Sequence, residues 1–143
     1  MKLFRIVFLA LALGGGLTAF GGGFAARAQE QKSPEQQEKE LREMIDKEVE
    51  KYTRTLELDF AQEFYVDSIL THDFFAMRAE MMEKSAARVS NTDVYVAIQD
   101  KWYEKIYQGF RKVLDDEQWA KYLKNGAGRE KRARDKRLAK RNK

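Results

Sequence analysis

The sequence predicts an all-α protein of three or four helices. Three observations predict it. Residues able to cap a helix, Ser33, Asp59 and Asp115, each stand at the head of a long run with no proline past its first position. Inside those runs the apolar residues recur every three or four positions, the period of a helix and not the alternation of a strand. The single proline, Pro34, directly follows Ser33, at the first helical position where its missing N–H costs nothing.

The longest apolar run covers residues 58–82, LDFAQEFYVDSILTHDFFAMRAEMM. It opens on Leu58-Asp59-x-x-Gln62, a capping box in which Asp59 accepts from the first turn and Gln62 reaches back to the Asp59 N–H. No Gly or Pro follows for many residues, so one helix continues to about residue 88. At 1.5 Å per residue that is about 45 Å. Its apolar side chains make two stripes. Val66, Leu70, Phe74, Met77 and Met81 follow one face. Phe64, Ile69, Phe75, Ala76, Ala79 and Met82 lie on another. A surface helix needs one such stripe, so the second must meet another helix, a second subunit or a client. Phe74 and Phe75 point about 100° apart, so one is expected in the core and the other outside. The spacing does not say which.

The opening pattern recurs as Leu114-Asp115-Asp116-Glu117-Gln118, again at a helix start, with Leu114 placed to staple onto Trp119. Two copies of Leu-Asp-x-x-Gln in a short helical chain resemble the periplasmic LTXXQ family of Spy/CpxP-like proteins. The resemblance covers roughly residues 58–123. Both copies carry Asp where the family motif has Thr, and Asp keeps the capping chemistry. The resemblance implies an ATP-independent chaperone or stress-response protein, built as an antiparallel dimer whose thin cradle holds clients.

The other helices follow in order. Ser33-Pro34-Glu35-Gln36 starts the first, which runs to about residue 55 with Leu41, Ile45, Val49, Tyr52 and Leu56 in one narrow stripe. Ser90-Asn91-Thr92-Asp93 breaks the second helix and caps a third over residues 94–113, with Val94, Ile98, Trp102, Ile106, Gly109 and Val113 on one face. The fourth starts at Asp115 and carries Trp119, Tyr122 and Leu123. It either ends at Asn125-Gly126 or runs on through residues 129–138, which are good helix formers. The second and third helices are expected to form a long antiparallel hairpin, giving an elongated molecule that dimerises.

Residues 1–28 read as a signal peptide. Lys2 and Arg5 give a basic start, residues 6–13 a short apolar stretch, and Ala26-Arg27-Ala28 a cleavage pattern before Gln29. The glycine runs at 14–16 and 21–23 and Arg27 separate it from a membrane span, which needs about 20 predominantly apolar residues. The expected location is therefore periplasmic or secreted. The chain has no Cys, so a helical core must form without disulfides. Residues 29–126 are read as the helical domain and residues 127–143 as a basic tail. Residues 29–123 hold 14 basic and 21 acidic side chains, and residues 124–143 hold 10 basic and 2 acidic. Such a tail suits an anionic envelope surface or folds back on the acidic body. Export makes nucleic acid the poorer partner.

Catalytic chemistry is thin. His72 is the only histidine and falls mid-helix, which does not suit a catalytic triad. With Asp73 and Met77 it lacks metal-ligand spacing. Asp115, Asp116 and Glu117 complement a helix N-terminus. No enzyme, cofactor or metal is expected. The expected function is an exported, ATP-independent chaperone or stress-response protein. It would bind unfolded or misfolded envelope proteins through Phe64, Val66, Leu70, Phe74, Phe75, Met77, Met81 and Met82. The alternative is a structural or regulatory interaction module for one envelope partner. The capping residues Leu58, Asp59, Gln62, Leu114, Asp115 and Gln118 are expected to be structural.

Overall fold

Each expected helix start forms through its own side chains. The computed structural model of the protein describes residues 32–143. The expected signal peptide, residues 1–28, lies outside the described residues. Helix α1, Pro34–Leu56, begins with Ser33 Oγ accepting from the Gln36 N–H at 3.2 Å and Gln36 Oε1 accepting from the Ser33 N–H at 3.1 Å. It ends at Glu57, which turns the chain with a positive φ of 55°. Helix α2, Phe60–Ala86, starts three residues later. Helix α3, Thr92–Val113, is capped by Asn91, two residues ahead of the sequence expectation. Helix α4, Asp116–Tyr122, follows Leu114 and Asp115.

The fourth helix does not stop at Asn125-Gly126. A π turn, Leu123–Ala127, carries the chain through a kink at Gly126 (φ 119°) into helix α5, Gly128–Arg141. Only glycine adopts that φ without strain. The helical run therefore extends past residue 126 into the basic segment. No strand occurs among the described residues, and Ser33–Lys143 forms one compact unit.

The core lies between α1, α2 and α3. α1 contributes Leu41, Ile45, Val49 and Leu56, α2 contributes Val66, Leu70, Phe74 and Met77, and α3 contributes Ile98, Ile106 and Phe110. Each such side chain contributes roughly 1.5–3 kcal/mol when fully buried. Contacts that climb α2 descend α3: Gln62 reaches the Val113 carbonyl, Ile69 packs on Gly109, Phe74 meets Tyr103 edge to face, and Glu80 accepts from Trp102. At Gly109 an added Cβ would stand 3.1 Å from Ile69 Cδ1, so glycine permits that close crossing.

Tyr52, Tyr107, Phe110, Trp119 and Tyr122 lock α1, α3 and α4 together. Their closest ring centroids are Tyr107–Trp119 at 4.8 Å and Tyr52–Phe110 and Phe110–Tyr122 at 5.2 Å. On α3, Val94 and Trp102 are half-buried. Asp100 is buried, and Arg137 and Arg141 of α5 bind its carboxylate.

Candidate functional site

The structure separates the two stripes of α2. Val66, Leu70, Phe74 and Met77 are buried against α1 and α3 and offer no surface to a client or partner. This corrects their placement among surface residues. α1 and α3 flank that face from both sides, which the α2 sequence by itself does not encode. Met81, at the end of the same stripe, is half-buried. Of the adjacent phenylalanines, Phe74 is the core residue. Phe75 is half-buried, with the Arg42 guanidinium of α1 4.9 Å from its ring centroid.

Surface remains open at both ends of the other stripe. Phe64 is 62% exposed and Met82 50%. Two residues not singled out in the sequence belong with Phe64: Phe60 at 90% and Tyr65 at 56%. At 100° per residue Phe60, Phe64, Phe75 and Met82 fall within about 60° of arc. They form one line along α2, and Arg42 covers its middle. The signal for Phe60 is its i, i+4 spacing to Phe64. As the residue directly after the cap Asp59, it lies before the run of core positions. The Phe64 and Tyr65 rings touch edge to face, with centroids 5.7 Å apart. Monomeric surfaces seldom expose adjoining aromatics in this way.

The surroundings of this aromatic group are acidic. Residues 55–77 contain no Lys or Arg, and Asp59, Glu63 and Asp67 are exposed beside the rings. Glu57 is not part of that free charge. Lys121 Nζ donates to it at 2.8 Å, and this bond holds its carboxyl below the ordinary range. At the other end of α2, Lys101 and then Trp102 Nε1 bind Glu80 and lower its pKa in the same way. The head of α2 thus offers apolar rings and carboxylates that form no ion pair among the described residues, a combination suited to extended chain carrying apolar and cationic residues.

The capping residues are brought together, although they lie far apart in sequence. Asp59 Oδ1 accepts from the Gln62 N–H at 2.8 Å, and Asp115 Oδ1 accepts from the Gln118 N–H at 2.8 Å. Gln62 Oε1 and Gln118 Oε1 accept in turn from the Asp59 and Asp115 N–H groups. The two glutamines then bond to each other. Leu58 and Leu114 are both buried. The motif is a brace behind the aromatic surface.

His72 is exposed, with Nδ1 2.8 Å from Asp73 Oδ1. Among the described residues no group of three His, Cys, Asp or Glu side chains is arranged to hold a metal ion. No helix among them is long and apolar enough to cross a membrane. No family model, curated protein or solved structure matches the chain.

Proposed function

We propose that the protein is an exported, ATP-independent chaperone or envelope stress-response protein that holds unfolded chains on the head of α2. The observation that carries this reading is the open aromatic group Phe60, Phe64 and Tyr65 with Asp59, Glu63 and Asp67 beside it. Apolar rings capture unfolded segments without demanding one sequence, and the carboxylates favour segments that also carry Lys or Arg. The paired Leu-Asp-x-x-Gln motifs support the same reading through their resemblance to the LTXXQ family. In this reading α2 and α3 are the arms of a long antiparallel hairpin, the molecule is elongated, and it works as a homodimer without catalysis.

The test is suppression of aggregation of two unrelated, chemically denatured proteins without ATP. The wild type should suppress both. Phe60→Ser with Phe64→Ser should lose most of that effect at an unchanged melting temperature, because neither side chain is in the core. Suppression retained in full by the double variant sinks the chaperone reading. Binding to one folded partner, with no effect on denatured proteins, makes the protein an interaction module.

A further inference from the structure

The cations of α5 divide by face. Arg134, Arg137 and Arg141 point toward α3. Arg137 forks onto the buried carboxylate of Asp100 at 2.6–3.2 Å, Arg141 reaches the same carboxylate at 3.0 Å, and Arg134 binds Glu104 at 3.3 Å. Arg134 also lies over the Tyr107 ring, 5.6 Å from its centroid. Those bonds fix the rotation of the helix about its axis. Arg129, Arg132, Lys136 and Lys140 fall on another side, within about 80° of arc and about 130° from the inner arginines. All four are exposed. None of them forms an ion pair among the described residues. From Arg129 to Lys140 the row is about 16 Å long.

We propose that this row is a docking surface for anionic phospholipid headgroups. A straight row of cations on a rigid helix matches a plane of phosphates, and the folded helix needs no ordering on contact. The exposed carboxylates at the head of α2 repel an anionic surface, whereas the row on α5 attracts it. Leu138, half-exposed, lies about 165° round the helix from the row. Contact is therefore electrostatic, with no apolar residue inserted, and is reversed by salt. The choice of lipid over nucleic acid rests on the export expected from residues 1–28. It does not rest on client binding.

Co-sedimentation of the full chain with vesicles tests the proposal. Vesicles of phosphatidylcholine with about 30% phosphatidylglycerol should bind the protein at low salt, and pure phosphatidylcholine vesicles should bind it far less, with the difference abolished at high salt. Arg132→Gln, Lys136→Gln and Lys140→Gln together should weaken the anionic binding roughly 100-fold, at about fivefold per cation. They should leave the melting temperature unchanged. Lys39→Gln, Lys47→Gln and Arg54→Gln, exposed on α1, remove the same charge and should change binding little. Equal binding to both vesicles, or equal weakening by both triple variants, overturns the proposal. So does binding to a short DNA duplex that depends on the row while the vesicles are ignored. Fractionation of expressing cells reads the export separately, so its failure is distinguishable from failure of the row.

Discussion

Gln62 and Gln118 hold each other by their side-chain amides. Gln62 Nε2 donates to Gln118 Oε1 at 2.7 Å, and Gln118 Nε2 donates back to Gln62 Oε1 at 2.8 Å. The second N–H of Gln62 goes to the Val113 carbonyl at 3.1 Å, and that of Gln118 to the Glu57 carbonyl at 3.5 Å. Val113 and Glu57 are the residues just before the two motifs, so the arrangement is internally two-fold. With each Oε1 also accepting its own cap N–H, both amides use all their donors and acceptors.

That closure makes the two motifs energetically coupled. Gln118→Ala, at a buried position, should cost about 1–3 kcal/mol because Gln62 and the Glu57 carbonyl lose their partner. Asp59→Ala and Asp115→Ala should each cost about 0.5–2 kcal/mol, with Thr tolerated at both. A urea-unfolding cycle on Gln62→Ala and Gln118→Ala should show an interaction of about 0.5–3 kcal/mol. Strictly additive losses would show that the amides act only as local caps.

The caps were legible in the sequence because each depends on residues three apart. The amide pair was not, since it depends on how α1 and α3 deliver Glu57 and Val113 to the same place. The two stripes of α2 were legible as stripes, but α1 and α3 decide which one is core. In the same way, the ion pairs of Asp100 and Glu104 depend on α5 folding along α3, which no local spacing encodes. Phe60 was not legible as a site residue because a residue at the first helical position belongs to no core stripe.

Gly126 should be irreplaceable by a residue with a side chain. Its φ of 119° lies outside the regions open to L-residues, so Gly126→Ala should cost about 1–3 kcal/mol in chemical unfolding. The kink also aims α5 at Asp100. Arg137→Gln should therefore cost less on the Gly126→Ala background than on the wild type. Equal costs on both would mean that α5 reaches Asp100 without the kink.

Stability should fall at alkaline pH. Tyr52 keeps partial exposure while protein surrounds its hydroxyl, and burial first, then the neighbouring Tyr122 and Glu48, push its pKa well above the ordinary value. Burial also raises Tyr122, against a smaller lowering from Arg134. Above the ordinary pKa of about 10 the unfolded phenols lose protons that the folded ones keep, so the stability fully present below that pH declines as pH rises. Each tyrosine contributes a slope of up to about 1.4 kcal/mol per pH unit. Lys121 and Lys131, raised by their ion pairs, add a decline of the same sign. Tyr52→Phe with Tyr122→Phe should retain the lysine part alone. Identical losses between pH 8 and pH 11 for wild type and double variant would remove the tyrosines from the account.

Phe74 and Phe75 should behave as different kinds of residue. Phe74→Ser removes a ring that is 3% exposed and should cost about 3–5 kcal/mol. Phe75→Ser should cost much less, since solvent already reaches the ring and Arg42 is its cover. Thermal unfolding of the two variants decides this, and equal destabilisation would mean that α1 seals Phe75 as fully as the core seals Phe74.

Oligomeric state bears directly on the client surface. α1 and α3 already cover the inner stripe of α2, so a second copy has only the exposed residues of α2 and the outer faces of the other helices to use. The proposed homodimer should appear as a dimeric mass in sedimentation at micromolar concentration. If clients and the second copy use separate surfaces, Phe60→Ser with Phe64→Ser leaves the mass dimeric while client handling is lost. A double variant that sediments as a monomer places the second copy on the aromatic group. The rings would then be an interface, and the carboxylates beside them would have no role in holding clients. A wild type that stays monomeric up to high concentration removes the dimer and leaves the aromatic group free in every copy, so client capture would have to work one chain at a time.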